Sequence, residues 1–276
     1  MAAGIQVWSI FIMHVRCILF GLGVIALSAG AFAQDSVVDD EASDHTLALE
    51  IPAADGAGFR ATIDTTETPD LTAWAHKKLA PVVVAWYPKI VELLPSDGFA
   101  APRSFTITFT SDYQGVAATA GNRILCAPEW FRNNRDGEAI GAVVHELVHV
   151  VQQYRWGRRT AEGQRPPGWL IEGIPDYIRW FLYEPQTRGA EIGPDRVAKV
   201  RYDSSYRVSA NFLNWAVAQH GQEIIPKLNA ALREGRYNEE LWRELTGKTV
   251  DDLGIEWKVS LERSAAAPPE EAATKR

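Results

Sequence analysis

Residues 139–154 read AIGAVVHELVHVVQQY, and the fold turns on how this stretch is read. Ile140, Val143, Val144, Leu147, Val151 and Tyr154 recur at three- and four-residue steps. That period predicts a helix with a core face, capped by Asp136 and stopped by Gly157. His145 and His149 stand four apart and project from one side of it. Two neutral imidazoles at that spacing can grip one zinc ion, while Glu146, offset around the helix, can take a proton from water without occupying a ligand position. By chance the HExxH pattern arises in roughly one chain in a hundred of this length. A catalytic zinc also needs a third protein ligand, so a second element must supply one.

The same helix does not supply it. Gln152 and Arg155 stand three and six residues past His149, where an extended motif would have Gly and His. Downstream, residues 169–177 read WLIEGIPDY and put Glu172 and Asp176 four apart, on one helix face. Glu172 is the expected third metal ligand, and Asp176 the group that orients His145 or His149 from behind. Pro175 complicates this helix, because it lacks an amide hydrogen. A helix starting after Gly173 would make Asp176 a competitor for the third ligand position. Tyr206, or Tyr202 before it, can offer a phenol to a developing oxyanion. Cys126 lies in an apolar strand and reads as a small buried hydrophobe.

Outward from the helix, Thr46–Ile51 alternates, residues 68–94 are helix-like up to Pro95, and residues 105–110 form a period-two strand. Gly121-Asn122 marks a turn into a strand over 123–127, expected as a sheet edge where an extended peptide pairs beside the metal. The second half predicts helices over 207–219 and 222–234, ended by Gly221 and Gly235, then a capping box from Thr249 to Asp252. The expectation is an α+β domain over 45–263. A small mixed sheet with the active-site helix forms its N-terminal lobe, helices form its C-terminal lobe, and the cleft lies between. Residues 34–44 are an acidic linker and 264–276 a polar tail, both expected to be disordered.

At the N-terminus, Arg16 precedes an apolar run ending Ala31-Phe32-Ala33, the layout of a signal peptide cleaved after Ala33. Met13 would give this leader a more ordinary start. The remaining 243 residues carry 27 basic and 35 acidic side chains, the wrong sign for tracking phosphates, so nucleic-acid binding is excluded. Cys126 is then the one cysteine, without a disulfide partner. No cysteine at the cleavage point can take a lipid. The expectation is a secreted protein, periplasmic or extracellular, without stable membrane association after cleavage.

With these residues in hand, HELVHVVQ followed by WLIEGIPDY resembles the gluzincin metallopeptidases. More closely, GNRILCAPEWF, AVVHELVHVVQQY, GWLIEGIPDYIRW, SSYRVSANFLNW and ELWRELTGKTVDDL resemble the plant basic secretory protein family of peptidases, over roughly residues 45–262. The resemblance implies a zincin-like fold, with His145, His149 and Glu172 as zinc ligands, Glu146 as general base and Asp176 in support. It departs from that family in its acidic charge and at Pro175, where a small helix former is usual. The function expected is a zinc metallopeptidase cleaving peptides or proteins, an endopeptidase rather than an exopeptidase. The alternative is a zinc-stabilised extracellular binding module without turnover.

Overall fold

The computed structural model describes residues 45–154 and 166–266. The predicted leader, the acidic linker, Gly157 and residues 267–276 lie outside them. Among the described residues, five strands form one mixed sheet: β1 (Thr46–Ile51), β2 (Phe59–Asp64), β3 (Ser104–Phe109), β4 (Ala117–Ala120) and β5 (Arg123–Cys126). Their order is β1-β2-β3-β5-β4. The outer pairs β1/β2 and β4/β5 are antiparallel, and the inner pairs β2/β3 and β3/β5 are parallel. Alternation marks β1, β3 and β5 in the sequence. It also runs through β2, where Phe59, Ala61 and Ile63 turn inward. By contrast, β4 reads Ala-Ala-Thr-Ala, too uniformly small to carry a period.

This topology corrects the expected sheet edge. β5 is flanked on both sides by β3 and β4, so among the described residues the free edge belongs to β4. The Ala127 N–H donates to the Val116 carbonyl at 3.0 Å. Pairing alternates along an antiparallel ladder, so Ala118 and Ala120 also face β5 while Ala117 and Thr119 turn their peptide groups outward. The outward carbonyl of Ala117 accepts from the Tyr113 hydroxyl at 3.0 Å, and among the described residues its N–H and the peptide groups of Thr119 remain along the edge.

The helix-like pattern over 68–94 becomes α1 (Pro69–Trp74), a π-helical stretch (Ala75–Leu79) and α2 (Ala80–Leu93). The wide turn sits just before Pro81, whose ring would crowd a carbonyl in a regular α-helical turn. After α3 (Pro128–Asn134) comes α4 (Ala139–Gln152), packed on β4, β5 and α2. Asp136 does not cap it. Glu138 occupies that position with helical dihedrals and no side-chain cap, and Asp136 instead faces Arg135 at 3.7 Å. The helix ends at Gln152, with Gln153 left-handed at φ 46°. Twelve of its fourteen residues are buried, so its polar side chains must find partners inside the protein.

The described residues after β5 form helices and no strands. α5 (Gly168–Tyr177) runs into a π-helical stretch (Ile178–Tyr183), followed by α6 (Pro194–Val197), α7 (Tyr206–His220), α8 (Ile224–Glu234), α9 (Glu240–Thr246) and α10 (Val250–Ala266). The capping box forms as predicted, the Asp252 amide donating to Thr249 Oγ1 at 3.1 Å and the Thr249 amide to Asp252 Oδ2 at 3.4 Å. α10 continues three residues past 263. Phe212, Trp242 and Trp257 fill the interior of this helical half, with Phe212 5.7 and 5.8 Å from the two indoles. α5 lies directly on α7. A Cβ at Gly173 would stand 2.8 Å from Ser209 Cβ, so the glycine after Glu172 lets the two helices touch.

Candidate metal centre

α4 and α5 carry the site between them. His145 and His149 leave the same side of α4, and Glu172 comes from the middle of α5, because that helix starts at Gly168 and not after Gly173. His145 Nε2 and His149 Nε2 are 3.2 Å apart, and Glu172 Oε2 lies 3.3 and 3.2 Å from them. Among the described residues this is the one group of three or more candidate ligands whose atoms converge. A four-coordinate zinc with bonds of about 2.0–2.1 Å separates its donors by about 3.3–3.4 Å. The three atoms already have that spacing.

The partners behind the rings explain why these atoms face one another. His145 Nδ1 donates to Asp176 Oδ1 at 2.7 Å, and His149 Nδ1 donates to Gln152 Oε1 at 2.7 Å. The Gln152 amide is oriented by its own donation to the Ile171 carbonyl at 3.1 Å, which leaves its oxygen towards the ring. With both Nδ1 atoms protonated, both Nε2 lone pairs point into the cluster, beside a carboxylate oxygen. Three acceptors in van der Waals contact repel unless a cation lies among them.

The electrostatics agree. Burial opposes a charge on His145, but hydrogen bonds to Asp176 and Glu172 outweigh it and hold its pKa up to about 10. Burial would likewise raise Glu172, and the hydrogen bonds and charges of the two imidazoles pull it down to about 2. The cluster draws positive charge, and without a metal it takes a proton. The donor set of two imidazoles and one carboxylate suits zinc.

Asp176, buried behind His145, stands on the far side of that ring from the converging atoms. Glu146 accepts a hydrogen bond from the Thr119 hydroxyl, Oγ1 to Oε2, at 2.7 Å. Tyr206 opens α7 with its ring 6.3 Å from that of His145 and half exposed. The charge of Glu172, then burial, raises its phenol pKa, so it stays a donor. Tyr202 is buried against Trp169 and Phe212, and its hydroxyl donates to Asp251 at 3.1 Å. Cys126 is fully buried, and burial raises its thiol well above its usual range.

Among the described residues, open space flanks the cluster on two sides. A cavity of 530 Å³ runs under Ala117–Gly121 past His149, Gln153 and Glu172. A second, of 830 Å³, extends past Trp130, Asn134, Arg179 and Arg207. His145, Glu146, Ala117 and Tyr206 border both. In the second, Arg179 is buried between Glu184 and Glu138 at 2.7 and 3.0 Å, and Arg207 reaches Glu138 at 2.7 Å. A Cβ at Gly141 would collide with the Glu184 carboxylate, so this glycine makes room for the ion pair beside α4.

Three contributors escaped the sequence reading. Gln152 looked like a failed ligand position, yet it orients His149. Thr119 and the β4 edge had no motif to mark them, because their meaning comes from strand pairing and packing on α4.

Comparison with solved structures finds a two-domain M1 zinc metallopeptidase mutant bound to L-tryptophan, at 10% identity and a TM-score of 0.47. It also finds an M1 zinc metallopeptidase from Deinococcus radiodurans, at 11% identity and a TM-score of 0.45. Each match covers 81% of this chain and 53% of the other, so the chain spans about half the length of these structures. No curated protein matches the sequence. The family model described as peptidase of plants and bacteria matches residues 70–257, more than half of the chain. By that match, the chain carrying this cluster belongs to the BSP family of peptidases of plants and bacteria.

Proposed function

We propose that this peptidase is a zinc-dependent endopeptidase of zincin-like architecture, secreted after removal of residues 1–33. The observation that carries the reading is the convergence of His145 Nε2, His149 Nε2 and Glu172 Oε2 at the spacing of a tetrahedral zinc site. When bound, zinc supplies Lewis-acid chemistry, acidifying water and polarising the scissile carbonyl. Everything else falls to side chains. Asp176 and Gln152 hold the two imidazoles in the tautomer that offers Nε2. Glu146 takes the proton of the attacking water and passes it to the leaving amine. Tyr206, kept protonated by the surrounding carboxylates, donates to the oxyanion.

The free edge of β4 supports peptides and proteins as substrates, since an extended chain can pair with the N–H of Ala117 and the outward peptide groups of Thr119. Cavities on both sides of the cluster favour an endopeptidase, whose substrate runs on past the scissile bond in both directions. The cleft is read as the divide between a sheet-bearing lobe and a helical lobe. Secretion rests on the leader sequence. None of the described helices is long and apolar enough to cross a membrane.

The test is cleavage of an unfolded protein by the zinc-supplemented chain beside Glu146→Gln, prepared identically and shown to bind zinc. Cleavage by the wild type and not by the variant is the expected result. If neither protein cleaves a broad peptide library, the zinc-stabilised binding module replaces this reading.

A further inference from the structure

A carboxylate that moves a proton needs one oxygen for the reaction and one to hold its position. Glu146 Oε2 is held by the Thr119 hydroxyl at 2.7 Å, and the same hydroxyl lies 3.1 Å from the backbone carbonyl of Glu146. The hydroxyl has one hydrogen, and an ionised carboxylate accepts it more strongly than a carbonyl already used in the helix ladder. Oε2 is therefore anchored and Oε1 is left for the reaction. Thr119 belongs to the edge strand and turns its own N–H and C=O to the free edge, where an extended peptide would pair. One residue thus touches the base with its side chain and faces the substrate path with its backbone.

Building on the assignment of Glu146 as general base, we propose that Thr119 is a positioning residue that registers the bound peptide against that base. Its peptide group sets where the extended substrate lies, and its hydroxyl sets where the base stands. Because both are fixed by one residue, the distance between base and scissile bond is set within a single strand. Loss of the hydroxyl would leave pairing intact and slow the chemical step.

The experiment compares zinc-loaded wild type, Thr119→Val, Thr119→Ser and Glu146→Gln, each with zinc content measured. Affinity for an uncleaved peptide is measured in Glu146→Gln with and without Thr119→Val. Valine keeps the shape and removes the donor; it should lower kcat about tenfold with KM within about twofold. Serine restores the donor and should recover most of the lost turnover. Peptide affinity should be the same with and without the valine. Wild-type kcat in Thr119→Val, serine as slow as valine, or zinc lost from Thr119→Val would each overturn the proposal. If valine does not fold, Thr119→Ala takes its place against serine. Cleavage by Glu146→Gln would refute the base assignment itself, a separate failure from that of Thr119.

Discussion

Pro175 has no amide hydrogen to give the Ile171 carbonyl one helical turn before it, and the side chain of Gln152 takes that carbonyl instead, at 3.1 Å. The proline inside α5 therefore leaves an acceptor for the residue that orients His149. Gln152→Leu should keep the fold and lower zinc affinity by about 10- to 100-fold, as loss of a group behind a metal-binding histidine does. Chelator competition measures this. An unchanged affinity would reduce Gln152 to a packing residue.

Glu172 and Asp176 share a helix face but meet opposite nitrogens of His145. Glu172→Ala removes a converging atom, whereas Asp176→Ala removes only support. Zinc affinity should fall further in the first, with the second losing about 10- to 100-fold. A larger loss in Asp176→Ala would reverse the two roles.

The metal-free cluster carries its own pH signature. The folded-state pKa of His145 is raised to about 10 from 6.5, so its contribution to stability is full below 6.5 and is lost as pH rises through 10. The pKa of Glu172 is depressed to about 2 from 4.5, so its contribution is present above 4.5 and is lost as pH falls through 2. Thermal melts of the chelated protein should therefore weaken from about pH 7 to about pH 10. The zinc-loaded protein should lack that alkaline loss, because its histidines are held neutral by the metal. Parallel alkaline slopes with and without zinc would contradict the assignment.

On the edge strand, neighbouring alanines should respond oppositely to proline. Ala117 turns its N–H outward, so Ala117→Pro should keep the melting temperature and raise KM about tenfold. Ala118 faces β5, so Ala118→Pro should break the β4/β5 ladder and lower the melting temperature. Equal KM in Ala117→Pro and wild type would exclude edge pairing as the mode of substrate binding.

Local sequence was enough for several features that depend on a period or a fixed offset, although the Asp136 cap expected on the same ground does not form. The spacing of His145 and His149 places two imidazoles on one helix face whatever surrounds it. The alternation of Leu47, Leu49 and Ile51 in β1 follows from the two-residue repeat of a strand. The same holds for the capping box at Thr249 and for the glycine stops at Gly221 and Gly235, which act within a turn of their own positions. What only the tertiary structure decided is what lies across from what. β4 has no periodic signal, so its place at the sheet edge arises from pairing with β5. Gln152 and Thr119 acquire their partners from α5 and α4, elements brought together by burial of apolar faces far apart in sequence. Glu172 and Asp176 look alike along the chain, and they separate into two positions only because α5 crosses α4 with one carboxylate before the His145 ring and the other behind it.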